Sequence, residues 1–571
     1  MICNAEIKKG VRYRRDFVQS DDEVASIETN DTAVVTFLND DGSVTGKSIE
    51  YGYRSKEEIK SIISGQRELD LRYCYVDTTF DLCELQSIHA EYALFNSNVC
   101  FDSVTFNGDV DFQYAKFVGT SGFLCIEFCG VVNFCGVRFY KTVLFSNATF
   151  SSKTDFSCAE FNGRAMFDNV TFTNEVSFKY SSFNAEANFQ GTRFCGDVNF
   201  FETILNSHVD CSKTIFSRKA TFHYTKFNGV SEFANSTFYG VADFSNTVFI
   251  SRAGFLKATF KDEVIFILSS FYGKTTFYGT AFNRTVDVLD SEFRDKTNFS
   301  CALFEESIMF GGVTFNDDLD FRNAIIKNSI QFKSVKFLSY VDLQLEECNE
   351  LNITDCRFEK TCTVTCCHNF TSLAIQNCMT IAPFSLPFDD NLKNAILQGL
   401  RSDPEMDTDL RVDDNKNKNN KKYEAFAQQF NFLKVCYSRN GEYDKEDRAY
   451  VEYRRCLRKS KRKSFSRGLN WIFLDISSLY CTNSYRVFGV AIITIAFFAG
   501  LYNIPGTVDF TGHYQGVLGS IYHSVITFFT IGYGDSSPMG PLGLILTGLE
   551  GFAGVFLMSL FTVSFVRKVL R

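Results

Sequence analysis

The chain has 571 residues, enough for several domains, and it carries 67 acidic against 58 basic side chains, a formal net charge of −9. This acidic balance argues against a nucleic-acid-binding protein, which needs an excess of basic surface. Phenylalanine occurs 64 times and tryptophan once, so the composition indicates an internal repeat. Residues 1–10 are polar and basic without an apolar core, so we expect no cleavable signal peptide and a cytoplasmic N-terminal part.

Residues 1–70 are predicted to form a small α/β cap. Residues 33–38 and 48–53 have the composition of strands. Ser55 and Glu58 have the spacing of a capping box, which predicts a helix after the second strand. A stack of repeats needs a cover of this kind, because its first coil otherwise leaves an open sheet edge.

The stretch 71–380 is dominated by a phenylalanine repeat. Successive phenylalanines are alternately five and six residues apart, so the period is eleven and one coil of four units takes about 22 residues. Thr, Val, Asn, Asp and Gly between them are poor helix formers, which favours short stacked strands. The register is clearest at Phe101, Phe106, Phe112, Phe117, Phe123, Phe128, Phe134 and Phe139.

This repeat resembles the pentapeptide-repeat family, whose chains wind a right-handed, four-sided β-helix with the central apolar residue of each unit pointing inward. It differs from the family because every second step has six residues, which adds residues at two corners of each coil. The resemblance implies a spacer or docking platform for an unknown ligand or protein. A DNA-mimicking rod that binds an enzyme is the alternative for this family.

Twenty cysteines are scattered along the chain, and we expect reduced thiols that pack as small apolar side chains. One group near the end of the repeat, Cys362, Cys366, Cys367 and His368, could ligate zinc. Its spacing does not match a paired Cys-x-x-Cys ribbon, so packed thiols are the favoured interpretation and no cofactor is expected.

Three segments are predicted between the repeat and the membrane. Residues 381–422 contain prolines and then a run of Asp, Asn and Lys, which is typical of a flexible linker. Residues 423–465 are predicted to form a helical hairpin, because Phe430 and its apolar neighbours follow helical spacing. Residues 466–483 are predicted to form an interfacial helix with Trp471 at the level of the lipid headgroups.

Eight basic residues lie between Arg454 and Arg467, immediately before the first apolar segment. Such a cluster could contact nucleic acid. Next to a membrane segment, however, Lys and Arg mark the cytoplasmic side and attract anionic lipid. The membrane interpretation is therefore favoured, with anionic lipids as partners and no nucleic acid.

Two apolar segments are candidates for membrane spans. Residues 487–502 form the first, and an inner helix of about 26 residues is predicted to start at Pro541. No Lys or Arg occurs between Arg486 and Arg567, so the positive-inside rule places both termini in the cytoplasm. These features predict an integral membrane protein with two spans, in the plasma (inner) membrane.

Between the spans, an apolar segment leads into Thr-Ile-Gly-Tyr-Gly-Asp at residues 530–535. Glycine at every second position lets backbone carbonyls turn toward one axis, because glycine reaches positive φ without a Cβ penalty. From Tyr522 to Asp535 the chain is similar to the pore helix and selectivity filter of potassium channels, whose Thr-Val-Gly-Tyr-Gly-Asp pattern differs only at Ile531. Residues 484–571 are therefore identified as a two-transmembrane potassium-channel pore.

This resemblance implies a passive pathway for potassium, built from four identical subunits. Potassium, as the permeant ion and in preference to sodium, would be held by Thr530, Ile531, Gly532, Tyr533 and Gly534 of each subunit. Non-helical backbone is tolerated at membrane depth only where protein buries it and it lines a wet path, so a homotetramer is expected.

Residues behind the predicted filter are assigned supporting roles by the same resemblance. Asp535 is expected to lie behind the filter. Tyr522 or His523 must supply the hydrogen bonding there, because the usual tryptophan pair is missing. The pore-helix position that is acidic in some relatives is Ile526 in this sequence.

Five residues of the inner helix are candidates for gating or for the cavity below the filter. Gly554 falls where relatives have a bending glycine, and close helix packing is the alternative. Val555, Met558 and Thr562 are expected to line the cavity. Glu550 is a carboxylate at membrane depth, which is usually functional or hydrogen-bonded; it either contacts the pore helix or attracts cations toward the cavity.

Taken together, the segments predict a multidomain protein in which a right-handed β-helix precedes a helical hairpin and an all-α two-transmembrane potassium-channel pore. Regulation by something bound to the solenoid is a hypothesis that rests on the order of the segments. A membrane-anchored repeat scaffold and a nonselective cation channel are the alternatives. No catalytic triad, metal carboxylate set or phosphate loop stands out, so the protein is not expected to be an enzyme.

Overall fold

The computed structural model of the protein describes residues 2–18, 24–38, 44–66, 68–77, 84–368, 371–381, 384–385, 396–398, 401–402, 418–439, 441–461, 465–510 and 516–570. The chain forms two compact units. The first comprises Met1–Ala382 with Leu386–Ile396, and the second comprises Pro383–Ser385 with Leu397–Arg571. A cap and a β-solenoid make up the first unit, whereas the second is mainly helical.

In the part of the cap that the structure describes there are five strands and one helix: β1 Ile2–Lys8, β2 Tyr13–Val18, β3 Val24–Thr29, β4 Asp31–Leu38, β5 Val44–Tyr53 and α1 Lys56–Gln66. β4 pairs antiparallel with β1 and β5, and β2 pairs antiparallel with β3. The N–H of Glu58 donates to the Ser55 hydroxyl at 3.2 Å, which caps α1. β5 also pairs in parallel with Cys74–Val76 of the first coil, so the cap sheet continues into the solenoid.

The solenoid repeats a coil with four two-residue strands. In one coil these strands are Thr105–Phe106, Val110–Asp111, Lys116–Phe117 and Ser121–Gly122. Each strand pairs in parallel with its equivalent in the next coil, as Phe117 does with Phe139. The pattern continues for about 14 turns, which confirms the predicted β-solenoid fold.

Longer strands replace some of the two-residue strands toward the end of the solenoid. They keep the parallel stacking even where other residues replace phenylalanine, because backbone hydrogen bonds rather than a particular side chain define the ladder. These strands are Val264–Ile267, Val286–Leu289, Ile308–Gly311, Ile325–Lys333, Val341–Thr354, Cys362–His368 and Ser372–Gln376.

The five-residue step between two phenylalanines forms a tight turn. In the turn after Phe112, the N–H of Ala115 donates to the Phe112 carbonyl at 2.9 Å and Tyr114 has φ 56°. The side chain of Asp111 accepts from the N–H of Gln113 at 2.8 Å in the same turn. Aspartate and asparagine recur before the central residue because they satisfy a backbone donor that the turn leaves unpaired.

Phenylalanine rings stack in columns inside the solenoid. Phe189 stacks on Phe167 of the preceding coil at 5.0 Å between ring centroids, and it meets Phe200 of its own coil edge-on at 5.7 Å. Offset stacking along a column and edge contacts between columns are the arrangements that aromatic rings prefer. Cys211 occupies the position of a phenylalanine in one coil and is buried, as expected for a thiol used as an apolar filler.

The described residues of the second unit form six helices: α2 Lys418–Arg439, α3 Tyr443–Ser460, α4 Phe465–Asn470, α5 Ser484–Tyr502, α6 Val517–Phe528 and α7 Gly540–Val569. A π-helical turn, Trp471–Ile476, extends α4. Short strands lie at Phe384–Ser385, Ile396–Gln398 and Arg401–Ser402.

The predicted linker needs a correction at its C-terminal end. α2 begins at Lys418, so its first residues fall within the segment 381–422 that was predicted to be flexible. Once the buried side chains of Leu433 and Tyr437 anchor this helix, adding residues at its start is favourable despite their polar character. Residues 403–417 of the predicted linker lie outside the described residues.

Two helices in the described part of the chain are long and apolar enough to cross a membrane. They are α5, with 19 residues, and α7, with 30. The predicted first span was three residues shorter than α5, because Ser484 to Arg486 are polar and were placed outside it. Asn483 caps α5 by accepting from the N–H of Arg486 at 3.0 Å.

Candidate ion pathway

The predicted filter begins where the pore helix α6 ends. The N–H of Thr530 donates to the Thr527 carbonyl at 3.1 Å, in the last turn of the helix. Thr530, Gly532 and Gly534 then have φ of 56°, 57° and 80°. Left-handed residues at alternate positions are what a chain needs to aim successive carbonyls at one axis, and glycine adopts them without a Cβ penalty.

Side chains of the pore helix hold the chain that leaves the filter. The Tyr522 hydroxyl donates to Asp535 Oδ2 at 2.6 Å, a short hydrogen bond to a charged acceptor. Nδ1 of His523 lies 2.8 Å from the hydroxyl of Ser536, and the His523 ring packs edge-on against Tyr502. Of the two predicted partners for Asp535, the structure therefore places Tyr522 against it, whereas His523 contacts the next residue.

The loop between α5 and α6 contacts the chain between the predicted filter and α7. Strand Val508–Phe510 pairs antiparallel with Ser536–Pro538. The N–H of Met539 donates to the Thr507 carbonyl at 2.8 Å. A Cβ added at Gly543 would lie 2.1 Å from that same carbonyl oxygen, so only glycine allows α7 to pass this close to the loop.

Glu550 is fully buried between three helices. Its carboxylate contacts the hydroxyl of Ser524 on α6, and this hydroxyl also lies 2.8 Å from the Ile495 carbonyl of α5. The side chains of Tyr502 and Thr547 lie next to it. The structure therefore places Glu550 against the pore helix rather than in the cavity below the filter.

Gly554 lies one turn further along α7 and packs against the end of the pore helix. A Cβ at this position would lie 2.1 Å from the Phe528 carbonyl oxygen, so the close-packing interpretation has direct geometric support. The predicted cavity residues Val555, Met558 and Thr562 are exposed on another side of α7. Met558 also lines an apolar cleft of about 330 Å³, beside Phe528.

The structure describes the side chains of the three cysteines in the predicted zinc candidate. Cys362 is buried and Cys367 is exposed, because residues an odd number of positions apart on a strand point to opposite faces. Among the side chains that the structure describes, no group of three His, Cys, Asp or Glu could hold a metal ion. The side chain of His368 lies outside the described ones.

The interfacial segment contains a contact that the sequence did not predict. Asp475 is buried within an otherwise apolar stretch, and two arginines of α3 bind it. Nε and Nη2 of Arg455 donate to Asp475 Oδ1 at 3.1 and 2.9 Å, and Nη2 of Arg458 donates to Oδ2 at 2.8 Å. Two of the eight basic residues are therefore used within the protein, and no sequence motif marks the pairing.

Other residues of the basic run line a cavity of about 170 Å³ next to the interfacial segment. Arg454, Lys461 and Arg467 face this cavity together with Tyr480. The guanidinium carbon of Arg454 lies 5.4 Å from the centroid of the Tyr480 ring, within the range of a cation–π contact. Half of the residues that line the cavity are cationic, which suits it to an anion, and one of these, Arg458, also binds Asp475.

Comparison with known protein families places both parts of the chain. Residues 134–182 and 222–269 match the family described as pentapeptide repeats, with nine copies, and residues 484–571 match the family described as ion channel. No match was found among curated proteins or solved structures. The channel match and the two membrane-length helices indicate a membrane protein with two spans, and both families point to a protein that is not an enzyme. The chain thus carries pentapeptide repeats in its N-terminal region and, at its C-terminus, an ion channel domain of the two-transmembrane potassium-channel type.

Proposed function

We propose that this protein is a subunit of a potassium-selective channel that carries K⁺ passively across the membrane. The observation that carries this proposal is the backbone of residues 530–534, where Thr530, Gly532 and Gly534 all have positive φ. A K⁺ ion gives up its water only where several carbonyl oxygens replace it, and this alternating backbone can supply them. The hydrogen bond from Tyr522 to Asp535 supports the segment from behind.

Four copies of the chain are proposed to surround one pore. A single chain supplies only one wall of an ion path, and in it Ile531 and Tyr533 are 48% and 70% exposed. Non-helical backbone at membrane depth has to be covered by protein, which neighbouring subunits would provide. K⁺ is then the permeant ion rather than a resident cofactor.

Both termini are proposed to lie on the cytoplasmic side of the plasma (inner) membrane. Arg486 lies in the first turn of α5 and Arg567 in the last turn of α7, so both flank the same side of the two-span unit, and basic residues favour the cytoplasm. Anionic lipid headgroups are proposed to bind in the cavity of Arg454, Lys461 and Arg467, which is next to the interfacial segment.

The solenoid is proposed to regulate the pore by binding a ligand or protein. An aromatic cluster on one corner supports a docking role, since Tyr180 and Tyr224 are 54% and 50% exposed. Both rings meet Phe201 edge-on, at 5.5 and 5.9 Å between centroids. Deleting residues 1–380 should change the open probability, and a truncated channel that gates normally would reject this regulation.

The test of the main proposal is the reversal potential of purified protein in a planar bilayer, with potassium on one side and sodium on the other. A potassium-selective current that disappears in Gly532→Ala is expected, because alanine cannot adopt the left-handed backbone at this position without strain. A current without selectivity would favour the nonselective cation channel. Silence from correctly assembled protein, repeated with and without anionic lipid, would favour either a channel that stays closed without its solenoid ligand or the membrane-anchored scaffold.

A further inference from the structure

The cytoplasmic end of the inner helix α7 is held by an ion pair. Nη2 of Arg567, in the last turn of α7, donates to Asp447 Oδ1 on α3 at 2.8 Å, and Glu446 Oε1 is 4.0 Å away. The Arg567 guanidinium also lies 4.5 Å from the centroid of the Tyr450 ring. The side chains of Arg567 and Asp447 are only 21% and 15% exposed, so solvent screens this pair less than a surface salt bridge.

The opposite end of α3 is fixed to the interfacial segment. Asp475, whose side chain is 6% exposed, accepts from both Arg455 and Arg458. From Asp447 to Arg458 the chain advances eleven residues of continuous helix, or about 16 Å. α3 therefore connects the end of the inner helix to the segment that leads into the first span.

We propose that α3 acts as a strut and that the Asp447–Arg567 pair is a gating contact, in which both residues position the inner helix. This inference rests on the proposed channel function. α7 lines the ion path below the predicted filter, so a displacement of its end changes the width of that path. Separating a mostly buried pair leaves an unpaired charge, and the pair therefore favours one position of α7 over any position in which it is broken.

The decisive experiment is a charge-exchange cycle measured by single-channel recording of the full-length protein. Asp447→Arg and Arg567→Asp break the same contact, so both should shift the ratio of open to closed times in the same direction, by about ten-fold or more. The double variant restores the pair with its charges exchanged and should return the ratio to within about three-fold of the original. Single effects that simply add in the double variant would overturn the proposal.

Two matched controls use neighbouring charges of the same sign. Asp444 is exposed and lies on α3 one turn before Asp447, and Lys568 is exposed and follows Arg567. Asp444→Arg and Lys568→Asp change the net charge as the test variants do, and they should leave the ratio within about three-fold. If the controls shift the ratio as much as the test variants, general electrostatics rather than the pair sets the gate and the proposal fails.

A second readout does not depend on conduction. Hydrogen–deuterium exchange in detergent should show faster exchange at the C-terminal end of α7 in the milder variants Asp447→Asn and Arg567→Gln, with no further increase in their combination. This result together with a protein that passes no current, with or without residues 1–380, would reject the channel proposal but retain the strut. A conducting protein whose α7 end exchanges at the same rate in all variants would reject the strut alone.

Discussion

Replacing Gly554 by alanine should weaken the contact between the inner helix and the pore helix. The added Cβ would lie 2.1 Å from the Phe528 carbonyl oxygen, whereas carbon and oxygen rarely approach closer than about 3.3 Å. The two helices must therefore separate by about 1.2 Å, or the end of the pore helix must tilt. Overpacking of this kind costs about 1–3 kcal/mol.

Gly548→Ala is the matched control, because a Cβ at Gly548, on the same helix, would meet nothing within 4 Å. Both variants gain up to about 1 kcal/mol of intrinsic helix propensity, so the difference between their stabilities isolates the packing cost. Thermal unfolding can be followed by the fluorescence of Trp471, the one tryptophan of the sequence, which lies in the helical unit. Equal stability of the two variants would refute close packing and leave bending as the role of Gly554.

Four further predictions concern the solenoid and the surroundings of the filter. Burial raises the pKa of Glu91 from 4.5 to about 7, because the buried site favours the protonated side chain. The contribution of protonated Glu91 to the stability of the fold is therefore complete below pH 4.5 and is lost as pH rises through 7. The first coils should therefore exchange amide hydrogens more slowly at pH 5 than at pH 8, after correction for intrinsic rates, and Glu91→Gln should abolish this difference. Phe189→Ala should lower the free energy of unfolding by about 3–5 kcal/mol in chemical denaturation, and a loss below about 1 kcal/mol would contradict the stacked core. Tyr522→Phe and Asp535→Ala remove the same hydrogen bond, so each should change how long single openings last without changing selectivity, and dwell times in the double variant should change no further. Glu550→Gln should preserve conductance because the carboxylate lies outside the cavity; reduced conductance in single-channel records would show that it attracts cations after all.

The solenoid could be predicted in detail because each coil repeats the same spacing of central residues and the same turns. A period of eleven, broken into steps of five and six, is visible in the sequence, and the ladder between Phe117 and Phe139 follows from it. The strands β1, β2 and β3 of the cap were missed. In β2, Arg14, Arg15 and Asp16 interrupt the alternation of apolar and polar residues on which strand prediction depends.

In the candidate site, too, features set by neighbouring residues could be predicted, whereas contacts between distant residues could not. The positive φ of Gly532 and Gly534 could be predicted, since the glycines themselves mark it. The pairing of Asp475 with Arg455 and Arg458 could not, because it depends on how a helix turns back onto a segment about twenty residues later. From their charge alone, these two arginines are expected to contact the membrane surface, whereas the structure shows them bound to Asp475.

The pore helix α6 is held by a carboxylate of another helix in this protein. Ile526 cannot supply a carboxylate from α6 itself, and the buried Glu550 of α7 contacts Ser524 instead. The packing of α6 therefore depends on where α7 lies, which would not be so if the carboxylate belonged to α6. Along α7, Glu550 and Arg567 are seventeen residues apart, or about 25 Å of continuous helix. If Gly554 serves close packing rather than bending, α7 cannot move at one of these points without straining the other, so the Asp447–Arg567 pair and the contact between Glu550 and the pore helix are connected through a single element.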